Sequence, residues 1–98
     1  MTKTDVIAAL IDEASAIKAF GATALYLFGS TVRDTTGPGS DLDLFVDYDE
    51  GSKFSLIELV GIKQHLERRL GVAVDLTPRD SLDPLLRPRI EATAERIF

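Results

Sequence analysis

The chain has 98 residues, 16 acidic and 11 basic side chains, and a net charge of −5, which leaves room for one domain with one core. An acidic domain gains nothing from counterion release, so general nucleic-acid binding is not expected; a small nucleotide carried in with Mg²⁺ is compatible, because the metal neutralises its phosphates. The absence of cysteine excludes a disulfide framework, thiolate catalysis and a Cys-based zinc site, and no apolar run has the length of a membrane span or the form of a secretory signal, so a cytoplasmic protein is expected.

In chain order, Ile7, Leu10, Ile11, Ala14 and Ile17 recur at helical spacing and predict a helix over 4–20, with Thr4 as N-cap and Gly21 as its stop. Residues 23–28, TALYLF, read as a short strand ended by Gly29. Residues 30–34 have the makings of a brief helical turn, and TTGPGS over 35–40 is a loop. Residues 41–48 alternate: Leu42, Leu44 and Val46 on one face, Asp41, Asp43, Phe45 and Asp47 on the other. A turn follows at 49–52.

Ser55 with Glu58 forms a capping box. It opens an amphipathic helix through Leu56, Leu59, Val60, Ile62, Leu66 and Leu70, stopped by Gly71. Residues 72–77 read as a third strand ended by Pro78, residues 79–87 as irregular or one short turn, and a helix is expected from about Pro88 to Phe98. The helix between strands two and three has the length of a crossover, so these strands should be parallel neighbours; strands one and two should be antiparallel. The expectation is an α/β (α+β) domain, ordered α-β-β-α-β-α, with a small three-stranded mixed sheet under helices.

The chemistry concentrates between Phe28 and Val46, FGSTVRDTTGPGSDLDLFV. Gly29 lets backbone approach a ligand closely, Ser30 starts a turn whose free N–H groups favour anions, and Arg33 can serve as a charge clamp on phosphate. Asp41 and Asp43 share a strand face. Burying Val72, Val74 and Leu76 sends Asp75 to the side of that pair. Two like charges 4 Å apart repel by about 4 kcal/mol at an effective dielectric of 20, so such a cluster needs a cation. Mg²⁺ suits it, and a third carboxylate can take a proton from an attacking hydroxyl.

Each feature also has a plainer reading. Gly-Ser after a strand is commonly a turn, Asp-x-Asp commonly a solvated edge, and Arg33 can instead pair with Asp34 or Asp47. His65 reads as solvated, Arg79 and Asp80 as loop residues, Tyr26 and Phe28 as core.

Gly29-Ser30, ten intervening residues, then Asp41-x-Asp43 resembles the signature of the polymerase-beta-like nucleotidyltransferase superfamily. With LYLFGSTVR, SDLDLFV, the VDL of the third strand and the closing RPRIEATAERI, the chain is similar in particular to the minimal nucleotidyltransferases, antitoxin partners of HEPN-domain toxins. The resemblance implies that the polymerase-beta-like fold spans residues 1–98. It implies that Gly29 and Ser30 hold the β/γ-phosphates of a nucleoside triphosphate, that Asp41 and Asp43 bind two Mg²⁺, and that Asp75 completes the metal site and activates the acceptor. The implied reaction moves a nucleoside monophosphate, AMP from ATP, onto a hydroxyl of a HEPN toxin. Two other readings stand beside it: an antitoxin that neutralises its partner by occlusion with the carboxylates unused, and a sugar-nucleotide transferase, whose catalytic domains are usually far larger.

Overall fold

The computed structural model describes residues 2–29 and 42–98; the helical turn and loop expected over 30–40, with Ser30, Arg33 and Asp41, lie outside them. Helix α1 (Lys3–Asp12) starts earlier than expected because Thr2, not Thr4, is its N-cap. The Thr2 hydroxyl accepts from the Asp5 N–H and the Asp5 carboxylate accepts from the Thr2 N–H, each at 3.2 Å. An acidic residue three positions after Thr2 makes this reciprocal box possible. The single helix expected over 4–20 is corrected: the chain turns at Glu13 and resumes as α2 (Ala14–Ala19).

Strand β1 (Ala22–Phe28), strand β2 (Leu42–Tyr48), helix α3 (Leu56–Leu70) and strand β3 (Val74–Pro78) follow the expected order. Helix α3 opens on the Ser55–Glu58 capping box and closes at Gly71, whose φ of 71° lies in the left-handed region that halts a helix. At the break between α1 and α2 the Glu13 carboxylate reaches α3, lying 2.7 Å from His65 Nε2 and accepting from Arg69 Nε at 2.8 Å. His65 is therefore paired rather than merely solvated.

The chain then makes a short 3₁₀ turn (Arg79–Ser81) and helix α4 (Arg87–Thr93). The helix expected to reach Phe98 ends early. Ala94 is extended, and Glu95–Arg96 form a fourth strand, β4, antiparallel to β1. Ile97 N–H donates to the Leu25 carbonyl at 2.8 Å, continuing that pairing. The free edge of β1 offers unpaired backbone groups, and satisfying them outweighs the helical propensity of the last residues. The described sheet thus has four strands in the order β3-β2-β1-β4, one more than expected, with β1–β2 antiparallel and β2–β3 parallel as expected.

One face of the sheet makes the core. Leu25, Leu27, Leu42, Leu44 and Val46 pack against Val6, Leu10, Ile17, Ile62 and Leu66, all fully or almost fully buried. Each such side chain contributes about 1.5–3 kcal/mol by leaving water. Lys3 of α1 is ion-paired with Glu95 of β4, tying the first helix to the last strand. Among the described residues no helix is long and apolar enough to cross a membrane. With α1, α2 and α3 on the core face, the opposite face is left for chemistry.

At Gly71 an added Cβ would meet nothing within 4 Å, so only backbone strain opposes a side chain there. Gly71→Ala is expected to lower unfolding free energy by about 1–2 kcal/mol, and Gly71→Asn by less, since asparagine tolerates the left-handed region. Urea denaturation followed by circular dichroism checks both.

Candidate active site

The outer face of the sheet is built from alternate residues of its strands. Strand β2 contributes Asp43, Phe45 and Asp47; β3 contributes Asp75 and Thr77; β1 contributes Tyr26 and Phe28. In the parallel β2–β3 ladder Asp43 is the register partner of Asp75, and Phe45 of Thr77. Register partners in a parallel pair project to the same side, so the two carboxylates stand side by side, Asp43 half-buried and Asp75 exposed. On its other flank Asp43 is opposite Phe28, the residue before Gly29.

Gly29 has φ 79°. A Cβ built there would collide with the Asp43 carboxylate, its Oδ2 first. The end of β1 thus brings bare backbone against Asp43, which only glycine permits on both steric and dihedral grounds. Of the six residues singled out in the sequence, Gly29, Asp43 and Asp75 are brought together; Ser30, Arg33 and Asp41 lie outside the described residues.

The donor chemistry fits a hard divalent cation. Adjacent carboxylates supply the oxygens that Mg²⁺ prefers, and it takes one or two such groups together with phosphate oxygens. Among the described residues no group of three or more His, Cys, Asp or Glu side chains is placed to hold a metal. The described share of the site is therefore a carboxylate pair.

Beyond the pair lies an aromatic floor. The Tyr26 and Phe45 rings stack with centroids 4.6 Å apart, and Phe28 meets Phe45 at 5.7 Å. Phe45 is fully buried although it faces away from the main core. Tyr26 and Phe28, expected in the core, pack here instead and stay half-buried.

Arg79 covers this floor, its guanidinium 4.8 Å from the Tyr26 centroid and 5.1 Å from that of Phe45. Its Nε and Nη2 donate to the two Asp47 oxygens at 2.7 and 3.0 Å, and Nη1 donates to Glu91 of α4 at 2.6 Å. Hydrogen bonding to Asp47, then to Glu91, raises the Arg79 pKa against the effect of burial. Arg79 in turn holds the Glu91 carboxyl below the usual glutamate range, with Arg87 assisting. The His65 and Arg69 contacts do the same for Glu13.

Arg79 is the residue that sequence reading missed, having been read as part of a loop. One signal was present: Arg79 follows Asp75 by four residues, as Asp47 follows Asp43. Once the two Asp residues are in register, that spacing brings Arg79 to Asp47.

The Nucleotidyltransferase domain family matches residues 9–97 of the chain. A protein of Methanocaldococcus jannaschii, named provisionally as a protein adenylyltransferase, is 42% identical over 64 residues, 65% of this chain and 67% of that protein. A solved structure of a provisionally identified minimal nucleotidyltransferase superposes with a TM-score of 0.84 at 33% identity, covering 97% of this chain and 95% of the other. A chain from the complex of tri-AMPylated Shewanella oneidensis HEPN toxin with MNT antitoxin shares the fold, with a TM-score of 0.63 at 19% identity over 90% of this chain and 68% of that one.

Two outcomes are expected. Gly29→Ala should cost about 1–2 kcal/mol in strain and displace the Asp43 carboxylate, read as a shift of its side-chain carbon resonance. Glu13 and Glu91 have lowered folded pKa values, so the stability they add is present above the usual glutamate pKa and lost as pH falls through the folded values. Urea midpoints measured from roughly pH 6 down to pH 3 should therefore fall, and Glu91→Gln should flatten that slope.

Proposed function

The chain belongs to the nucleotidyltransferase domain family, and we propose that it transfers AMP from ATP, with Mg²⁺, to a hydroxyl of a partner protein of the HEPN toxin class, acting as its antitoxin. The observation that carries this reading is the register pairing of Asp43 with Asp75 beside the left-handed Gly29. The M. jannaschii relative, by its name, and the AMPylated HEPN toxin in the S. oneidensis complex support a protein acceptor and AMP as the transferred group.

In this reading Asp43 and Asp75, with Asp41, hold Mg²⁺, which when bound supplies charge neutralisation for the phosphates. The Gly29 and Ser30 backbone, with Arg33, positions the β- and γ-phosphates and fixes the α-phosphorus in line with the acceptor. The acceptor oxygen forms a bond to the α-phosphorus as the bond to the bridging oxygen breaks. Pyrophosphate leaves, and the hydroxyl proton passes to the Asp75 carboxylate. Charge disfavours nucleic acid as the acceptor, because a domain of net −5 is repelled by its phosphates.

Incubation with α-labelled ATP, Mg²⁺ and the product of the adjacent gene is expected to label that product. Asp43→Asn and Asp75→Asn should each lower labelling by about a hundredfold or more, as loss of a group acting in the transition state does, and chelation with EDTA should abolish it. Asp75→Asn should leave thermal stability unchanged or raise it by about 0.2–1 kcal/mol, because it removes a like-charge pair from the ladder. Label transfer that persists in both variants would sink the reading. Protection of cells by both variants without any transfer would favour occlusion.

A further inference from the structure

The β2–β3 register carries a charge problem that its apolar face does not solve. Leu42, Leu44 and Val46 alternate on β2, as Val74 and Leu76 do on β3. A slip of two residues would keep every apolar side chain on the core face, because strands repeat every two residues. In one direction such a slip would also set Asp43 opposite Ala73 and Asp75 opposite Phe45, relieving a like-charge pair. Burial alone therefore leaves the native register weakly specified, and repulsion between the two carboxylates works against it.

The Asp47–Arg79 ion pair depends on the native register, as does the contact one rung further on, where the Tyr48 hydroxyl donates to Asp80 at 3.1 Å. The ladder runs from Leu42–Val74 to Val46–Pro78, and the next step along it is Asp47 with Arg79. That pair is bidentate, at 2.7 and 3.0 Å, on the same outer face and four residues from the carboxylate pair. The guanidinium is also seated on Tyr26 and Phe45, so it is braced against β1 and β2 together. A two-residue slip would put Asp47 opposite Thr77 or Ser81 and break the fork. Bidentate, charge-assisted contacts are among the stronger and most geometrically selective polar interactions.

We infer that Arg79, through Asp47, is a positioning residue: it locks the β2–β3 register and so keeps Asp43 beside Asp75. This rests on the nucleotidyltransferase reading above only for the use to which the carboxylate pair is put. The lock itself is a property of the strands. The contact of Arg79 with Glu91 is a separate duty, the anchoring of α4.

Hydrogen exchange on metal-free protein separates the two duties. The Leu42 N–H donates to the Ala73 carbonyl at 2.9 Å, at the site end of the ladder, whereas the Ile97 N–H reports the β1–β4 edge. Asp47→Asn and Arg79→Met are expected to speed exchange at Leu42 by about tenfold, the size expected for loss of a charged hydrogen bond. Glu91→Gln should leave Leu42 unchanged and act at Ile97. Unchanged exchange at Leu42 in Asp47→Asn, or equal acceleration there in Glu91→Gln, overturns the inference. If Arg79→Met does not fold, the isosteric Asp47→Asn decides alone.

In a second arm, Mn²⁺ titration followed by electron paramagnetic resonance should show Asp47→Asn weakened about fivefold or more, with Glu91→Gln as wild type. Faster exchange with unchanged Mn²⁺ affinity would overturn the positioning role. Absence of Mn²⁺ binding in wild type would sink the metal-site reading instead, leaving the exchange result to decide the register lock.

Discussion

The parallel pairing of β2 with β3 is the constraint on which the rest of the molecule depends. It sets Asp43 against Asp75, gives the outer face its charge and obliges the chain to supply a crossover of helical length. Like charges directly opposite in a ladder are destabilising, while a hydrogen-bonded charged pair returns about 1.5–3 kcal/mol, so the Asp47–Arg79 fork opposes the repulsion beside it. The arrangement places the electrostatic cost where a ligand can use it and the compensating contact about a strand-length away, where it does not obstruct the site.

The two faces of the sheet do different work. The core face is apolar and closed by α1, α2 and α3, with the Glu13–His65–Arg69 cluster tying the turn between the first two helices to the third. The outer face pairs a carboxylate end with an aromatic floor capped by Arg79. Gly29 joins the two ends of that face: its bare left-handed backbone lets the Asp43 carboxylate sit where any side chain would collide with it. A domain of this size can afford little strain, and among the described residues the left-handed glycines sit at stops and close approaches.

Much of the fold was legible in the residues, for identifiable reasons. The Ser55–Glu58 box and Gly71 are local signals, and α3 begins and ends where they indicate. Period-two alternation in 41–48 assigned Asp43 to the outer face correctly, because each residue's side depends only on its position along its own strand. Of the site, Asp43, Asp75 and Gly29 could be read as converging; Arg79 is announced only by its spacing from Asp75, which matches that of Asp47 from Asp43, because its partners lie on β2 and α4. The closing strand β4 escaped for a similar reason. IEATAERIF has helical propensity, and only the open edge of β1 makes extension the better use of its last residues.

The sequence by itself determined the periodicities, the caps and stops, the in-phase aspartates and hence the α/β order of elements with an acidic face, because these depend on contacts within a few residues. The tertiary structure alone decided the fourth strand, the break at Glu13, the relocation of Tyr26 and Phe28 to the outer layer and the partners of Arg79. Each depends on which strand edge, carboxylate or ring lies across a gap that the chain closes only on folding, and the free energy of such contacts is set by distance in space rather than by separation along the chain.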